Sequence, residues 1–140
     1  MSKIGVVYAT KTKHSRKIAE AVGKALNTKA ENVKDKPSLG ETDLLFIVGG
    51  LYGGESLPEL LDYVKELDSS KIKKAALITS SAADKKGQDS VRSLLEGKGI
   101  KVVDEMRCFG SFLVMKMGHP NKPEINQAVE FAVKLAGKGA

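Results

Sequence analysis

The sequence predicts a doubly wound α/β domain: an open five-stranded parallel sheet with helices on both faces. Three observations carry that prediction. Four short apolar runs, Ile4 to Tyr8, Leu44 to Val48, Ala75 to Thr79 and Ile100 to Val103 with a continuation to about Phe109, lack the polar alternation of a half-solvated strand. Strands without alternation are buried on both faces, as in parallel sheets. Segments of helical period separate them, and strand-helix alternation builds right-handed βαβ units. Finally, 140 residues suit one core, so the chain is read as a single domain over residues 1–140.

The elements follow in order. The N-terminal MSKIGVVYAT is far too short to span a bilayer, carries no small-residue cleavage site, and reads as the first strand. Ser15 can cap a helix whose apolar positions Ile18, Ala21, Val22, Ala25 and Leu26 recur at three- and four-residue spacing. A polar strand near Thr28 to Val33 completes the five and suits a sheet edge. Asp35 to Thr42 is too short and polar for a full helix, which leaves that crossover as a loop. Ser56 and Glu59 form an S-x-x-E capping box ahead of Leu57, Leu60, Leu61, Val64 and Leu67. A third helix is expected from Gln88 to about Glu96, with Val91, Leu94 and Leu95 inward and Gly97 and Gly99 as the stop. Asn121 and Glu124 open the last helix, with Pro123 in its first turn and Ile125, Ala128, Val129, Ala132 and Ala136 on one face.

Open α/β sheets bind ligands beyond the carboxyl ends of their strands, where strand order reverses. The loops of interest are therefore Ala9 to His14, Gly49 to Ser56, Ser80 to Lys86 and Gly110 to Pro120. The first reads A-T-K-T-K-H-S-R-K, with Thr10, Thr12 and Ser15 as hydroxyls, Lys11, Lys13, Arg16 and Lys17 as cations, and no acid before Glu20. Hydroxyls and unpaired amides at a helix N-terminus suit a phosphate. The same residues also serve a plain loop, with Ser15 as cap and the lysines solvated. The second loop, G-G-L-Y-G-G-E-S, combines glycines that let backbone approach a flat ligand with Tyr52, a ring that either stacks on it or packs on the following helix.

The run V-V-Y-A-T-K-T-K-H-S-R-K-I-A resembles the phosphate loop of flavodoxins, usually a T-x-T-G-N-T type sequence. The resemblance implies strand order 2-1-3-4-5 and FMN as cofactor, with Thr10, Thr12 and Ser15 as phosphate ligands by motif position. Lys11, Lys13 and His14 share that loop. Lys13 and His14 depart from the family's Gly-Asn, which either remodels the loop and weakens binding or adds a cationic phosphate contact. Gly49, Gly50, Leu51, Tyr52 and Gly53 are similar to the family's loop beside the isoalloxazine, where a peptide turns toward the flavin N5 on reduction. Ser80, Ser81 and Ala82 correspond to the backbone flanking the pyrimidine side, without the aromatic flavodoxins often place there. The stretch F-G-S-F-L-V-M-K-M-G-H-P-N resembles the G-H-P-N or G-R-P-N segment of short flavodoxin-domain proteins, so the likeness spans nearly the whole chain. Met115 and Met117 there are read as packing residues and His119 as a loop hydrogen-bonder.

Other classes lack their chemistry. Ala9-Thr10 and Gly49-Gly50 stand where a phosphoacceptor receiver needs acids. The first strand leads into neither G-x-G-x-x-G nor G-K-[ST], and the first loop has no cysteine for a phosphatase. The net charge of +6 favours anionic ligands or partners, yet basic runs interleaved with aromatics are missing, which argues against nucleic acid. Cys108, the single cysteine, excludes an internal disulfide or Cys-based zinc cluster and fits a reducing cytoplasm. The expectation is an FMN electron carrier with no catalytic side chain, no metal and no membrane span, passing electrons to a redox partner protein with an acidic docking surface. The alternatives are a flavin oxidoreductase acting on a quinone or small molecule, similar to flavodoxin-fold protoporphyrinogen oxidases, and a binding module that has lost FMN.

Overall fold

A computed structural model describes residues 3–9, 14–52, 55–81, 88–109 and 122–139. The chain runs β1 (Ile4–Ala9), α1 (His14–Ala25), β2 (Ala30–Asn32), a 3-10 turn (Val33–Asp35), β3 (Thr42–Tyr52), β4 (Glu55–Ser56), α2 (Pro58–Lys65), β5 (Ile72–Ser81), α3 (Asp89–Gly97), β6 (Lys101–Phe109) and α4 (Lys122–Gly139). The parallel strands lie in the order β2-β1-β3-β5-β6, which is 2-1-3-4-5 counted among themselves. Two-residue β4 pairs antiparallel with the end of β3.

The apolar runs form the middle of the sheet because nothing else can cover it on both sides. Along β3, Leu45 and Ile47 face the layer of α2 and α3, while Leu44, Phe46 and Val48 face the layer of α1 and α4. Ile18, Ala19 and Val22 of α1 and Ala128 and Ala132 of α4 close the second layer. Leu60, Tyr63 and Val64 of α2 and Val91 and Leu95 of α3 close the first. The polar second strand shrinks to the three residues of β2, paired with Val6 to Tyr8 at the edge. The following crossover is irregular apart from its 3-10 turn, where Asn32 Oδ1 accepts from the Lys34 N–H at 2.9 Å. Tyr63 then ties that crossover to α2, its hydroxyl donating to the Pro37 carbonyl at 2.7 Å.

Four expectations change. The second apolar run continues as strand through the glycines, because Gly49 and Gly50 keep parallel register with Thr79 and Ser80. Ser15 is not the cap of α1: it lies inside the first turn, one residue after the helix begins, and its hydroxyl is buried without a partner. The Ser56–Glu59 capping box does not form either. Pairing with Leu51 holds Ser56 in β4, so Leu57 becomes the cap without a side-chain bond, and Pro58 starts the helix with its fixed φ. Glu59 turns instead to Lys34 at 3.7 Å. Lastly, α3 begins at Asp89, with Gln88 as a cap whose side chain turns inward. Its end follows the sequence: Gly99 takes φ +85°, and the Ile100 N–H donates to the Leu95 carbonyl at 2.9 Å.

β6 pairs with β5 through a register shift between Ala75 and Ala76, opposite Val102 and Asp104. The extra residue, Val103, makes this a bulged edge.

Phe46 is fully buried at the centre of the sheet. Phe46→Ala should therefore cost about 3–5 kcal/mol of unfolding free energy, read from urea denaturation. Burial, then the Glu31 charge, pushes the Tyr63 phenol up from 10.0 to about 12. A folded-state value above the unfolded one gives stability that is complete below pH 10 and declines as pH rises toward 12. Tyr63→Phe should lose roughly 1 kcal/mol at neutral pH with the Pro37 bond. Its deficit against the parent should close, then reverse, across that alkaline window in urea midpoints.

Candidate functional site

Strand order reverses between β1 and β3, the neighbours from which the chain winds in opposite directions. Register places Ala9 beside Gly49 and Gly49 beside Thr79, with Gly50 beside Ser80. The strand ends leading to the first, second and third predicted loops thus form one continuous edge, with the N-terminus of α1 beyond β1. Of the predicted site residues, Ser15, Gly49 and Gly50 are described in full, and His14, Leu51, Tyr52, Ser80 and Ser81 by their backbone. Thr10, Lys11, Thr12, Lys13, Gly53 and Ala82 lie outside the described residues, as do Met115, Met117 and His119.

Ser15 is 1% exposed and its Oγ has no hydrogen-bond partner. An unpaired buried hydroxyl costs about 1–3 kcal/mol, so Ser15 keeps unused hydrogen-bonding capacity in the first turn. The first turn of α1 contains no acid and its last turn contains Lys24, so nothing on the helix neutralises its positive end. Arg16, expected to contribute to the same field, pairs with Glu20 at 3.1 Å on the exposed surface, and that bond holds its guanidinium more firmly charged.

The buried unpartnered side-chain atoms among the described residues are the Oγ of Ser15, the Oγ of Ser56, Oγ1 of Thr79 and Oε1 of Gln88. All four lie at the carboxyl end of the sheet, in or beside the predicted loops. Thr79 and Gln88 are fully buried, and sequence periodicity did not single them out. A helix-start glutamine has the same pattern whether it points to solvent or into the core, and Thr79 read only as the last residue of an apolar run.

Gln88 organises the floor of this edge. Its Nε2 donates to the Ile47 carbonyl of β3 at 3.2 Å and the Ile78 carbonyl of β5 at 3.0 Å. Its backbone N–H donates to Glu105 Oε2 of β6 at 2.9 Å, while Arg92 donates to Glu105 Oε1 at 3.1 Å. A Cβ at Gly49 would stand 3.0 Å from Gln88 Oε1 and 3.0 Å from Leu60 Cδ2. Here space rather than backbone angle favours glycine.

Two clefts lined by described residues lie at the opposite, amino ends of the strands. One of about 290 Å³ sits between Tyr63, Leu67 and the Lys36–Leu39 crossover, and one of about 430 Å³ around Lys3, Thr28 and Thr42. Neither adjoins the strand reversal on its carboxyl side. Among the described residues no cluster of His, Cys, Asp and Glu could hold a metal, and no helix is long and apolar enough to cross a membrane.

A family model described as a flavodoxin domain matches residues 5–126. Among solved structures, a flavodoxin from the domain Archaea superposes with TM-score 0.76 at 15% identity, covering 98% of each chain. A short-chain flavodoxin associated with a non-canonical PDU bacterial microcompartment gives 0.74 at 18% identity and full coverage of both. A flavoprotein from Lactobacillus acidophilus NCFM, solved in complex with FMN, gives 0.60 at 13% identity over 76% of this chain and 93% of that one. At these identities the structural likeness establishes the fold. No curated protein matches the chain in sequence.

Gly49→Ala should destabilise the chain by about 1–3 kcal/mol in urea unfolding, since its methyl meets both the carboxamide and Leu60. The same substitution at Gly40, where a Cβ meets nothing, should stay within about 0.5 kcal/mol.

Proposed function

The chain belongs to the flavodoxin domain family, and on that premise we propose that it binds FMN across the carboxyl ends of β1, β3 and β5 and works as an electron-transfer protein. The observation that carries this reading is the buried, unpartnered hydroxyl of Ser15 in a first turn free of acids. That combination fits a phosphate: the hydroxyl donates to one oxygen while α1 offers its free amides and positive end. Thr10 and Thr12, which precede it in the motif, supply two further hydroxyls, and Lys11 and Lys13 the countercharge.

FMN supplies the redox chemistry when bound, and no side chain acts as a catalyst. The chain's part is to anchor the phosphate and to bring backbone close to the ring at Gly49, Gly50 and Leu51. Ser80, Ser81 and Ala82 border the other edge of the ring. Electrons pass to a partner protein, and the net charge of +6 suits one with an acidic docking face. The single cysteine suits a reducing cytoplasm. A flavin oxidoreductase of the same fold differs by turning over a quinone or small acceptor without a partner.

The test is titration of the FMN-free full chain with FMN, followed by quenching of flavin fluorescence. Micromolar or tighter binding, about 8 kcal/mol or more, is expected. Ser15→Ala should weaken it at least tenfold, consistent with a hydrogen bond to a charged group. The same variant should leave the FMN-free chain as stable as the parent or slightly more so, because it removes an unpaired hydroxyl. Folded protein that binds no FMN would sink the proposal.

A further inference from the structure

We propose that Gln88 is the positioning residue of the glycine-bearing end of β3, holding in one conformation the backbone that meets the ligand. The link to a flavin rests on the function proposed above; the clamp itself rests on geometry alone. Gln88 is fully buried at the start of α3 and commits both amide protons to neighbouring strands, at Ile47 and Ile78. These carbonyls lie two residues before Gly49 and one before Thr79, just upstream of the ligand edge. Through its own N–H and Glu105 it also reaches β6, so one residue ties three strands to a helix.

A plug that served packing alone would be apolar. Leucine would fill this space with no polar atom of its own, whereas Gln88 keeps Oε1 without a donor inside the core. That oxygen would crowd a Cβ at position 49, and the glycine offers it only a Cα–H, a weak donor. The carboxamide therefore acts as a template: its two donors set the spacing of β3 and β5, and its oxygen fits one backbone path at Gly49. The unpartnered Thr79 hydroxyl lies on the neighbouring strand, in register with Gly49 and on the same face.

The experiment compares the full chain with Gln88→Leu, which keeps bulk and removes the bonds, and with Leu95→Ala, a packing control in the same helix. Amide hydrogen exchange of the FMN-free protein by NMR is read first, and FMN titration second. In Gln88→Leu, exchange should quicken more than tenfold at Gly49, Gly50 and Leu51 while Val6 to Tyr8 of β1 stay within twofold, and FMN affinity should fall at least tenfold. In Leu95→Ala the acceleration should spread across β1, β3 and β5. A uniform rise in Gln88→Leu, no rise, or unchanged FMN affinity in a chain whose parent binds FMN would each overturn the proposal. Local acceleration with a parent that binds no FMN would uphold the clamp and remove only the flavin from it. Should Gln88→Leu fail to fold, Gln88→Met is read by the same criteria.

Discussion

The burial of β3 on both faces is the constraint on which the ligand edge depends. A strand enclosed by two helical layers cannot slip its register by one residue without sending Leu45 and Ile47 to the wrong layer. Its fixed alignment with β1 and β5 carries through to Ala9, Gly49 and Thr79, so the core sets the relative height of the strand ends that lead into the loops proposed to bind FMN. The site is thus a consequence of packing several residues away. Loops are free to vary at such an edge because the strands beneath them are not.

Polarity rises abruptly where this packing ends. Within the core, apolar side chains meet almost alone, yet the last turn of the sheet buries two serines, a threonine and a glutamine with unfilled hydrogen-bonding capacity. A sequence optimised for stability alone would have removed them. Three of them divide into two kinds. Ser15 stands in the first turn of α1, where the proposed phosphate would meet its hydroxyl. Gln88 and Thr79 lie under the strand ends.

The sequence made the fold legible because parallel strands buried on both faces leave uninterrupted apolar runs, as Leu44 to Val48 and Ala75 to Thr79 do. The flavodoxin likeness of the loops added the cofactor. Element ends were harder to read. Gly49 and Gly50 looked like loop because glycine has low strand propensity, but neighbours on both sides kept them in the ladder. Ser56 and Glu59 matched a capping signature that tertiary pairing at Leu51 overrode. Gln88 was invisible for a different reason: its role lies in contacts 41 and 10 residues distant in sequence, which no local pattern encodes.

The bulged last strand has a bearing on how copies of this chain meet. Among the described residues β6 has no strand on its outer side, leaving a row of amides and carbonyls open to recruitment by another molecule. The irregularity at Val103 breaks the even spacing an incoming strand would need, and Lys101 and Asp104 stand exposed on either side of it. Opposed charges flanking a kink make poor templates for extended backbone. The bulge and its flanking charges therefore disfavour strand-to-strand association of copies along this flank.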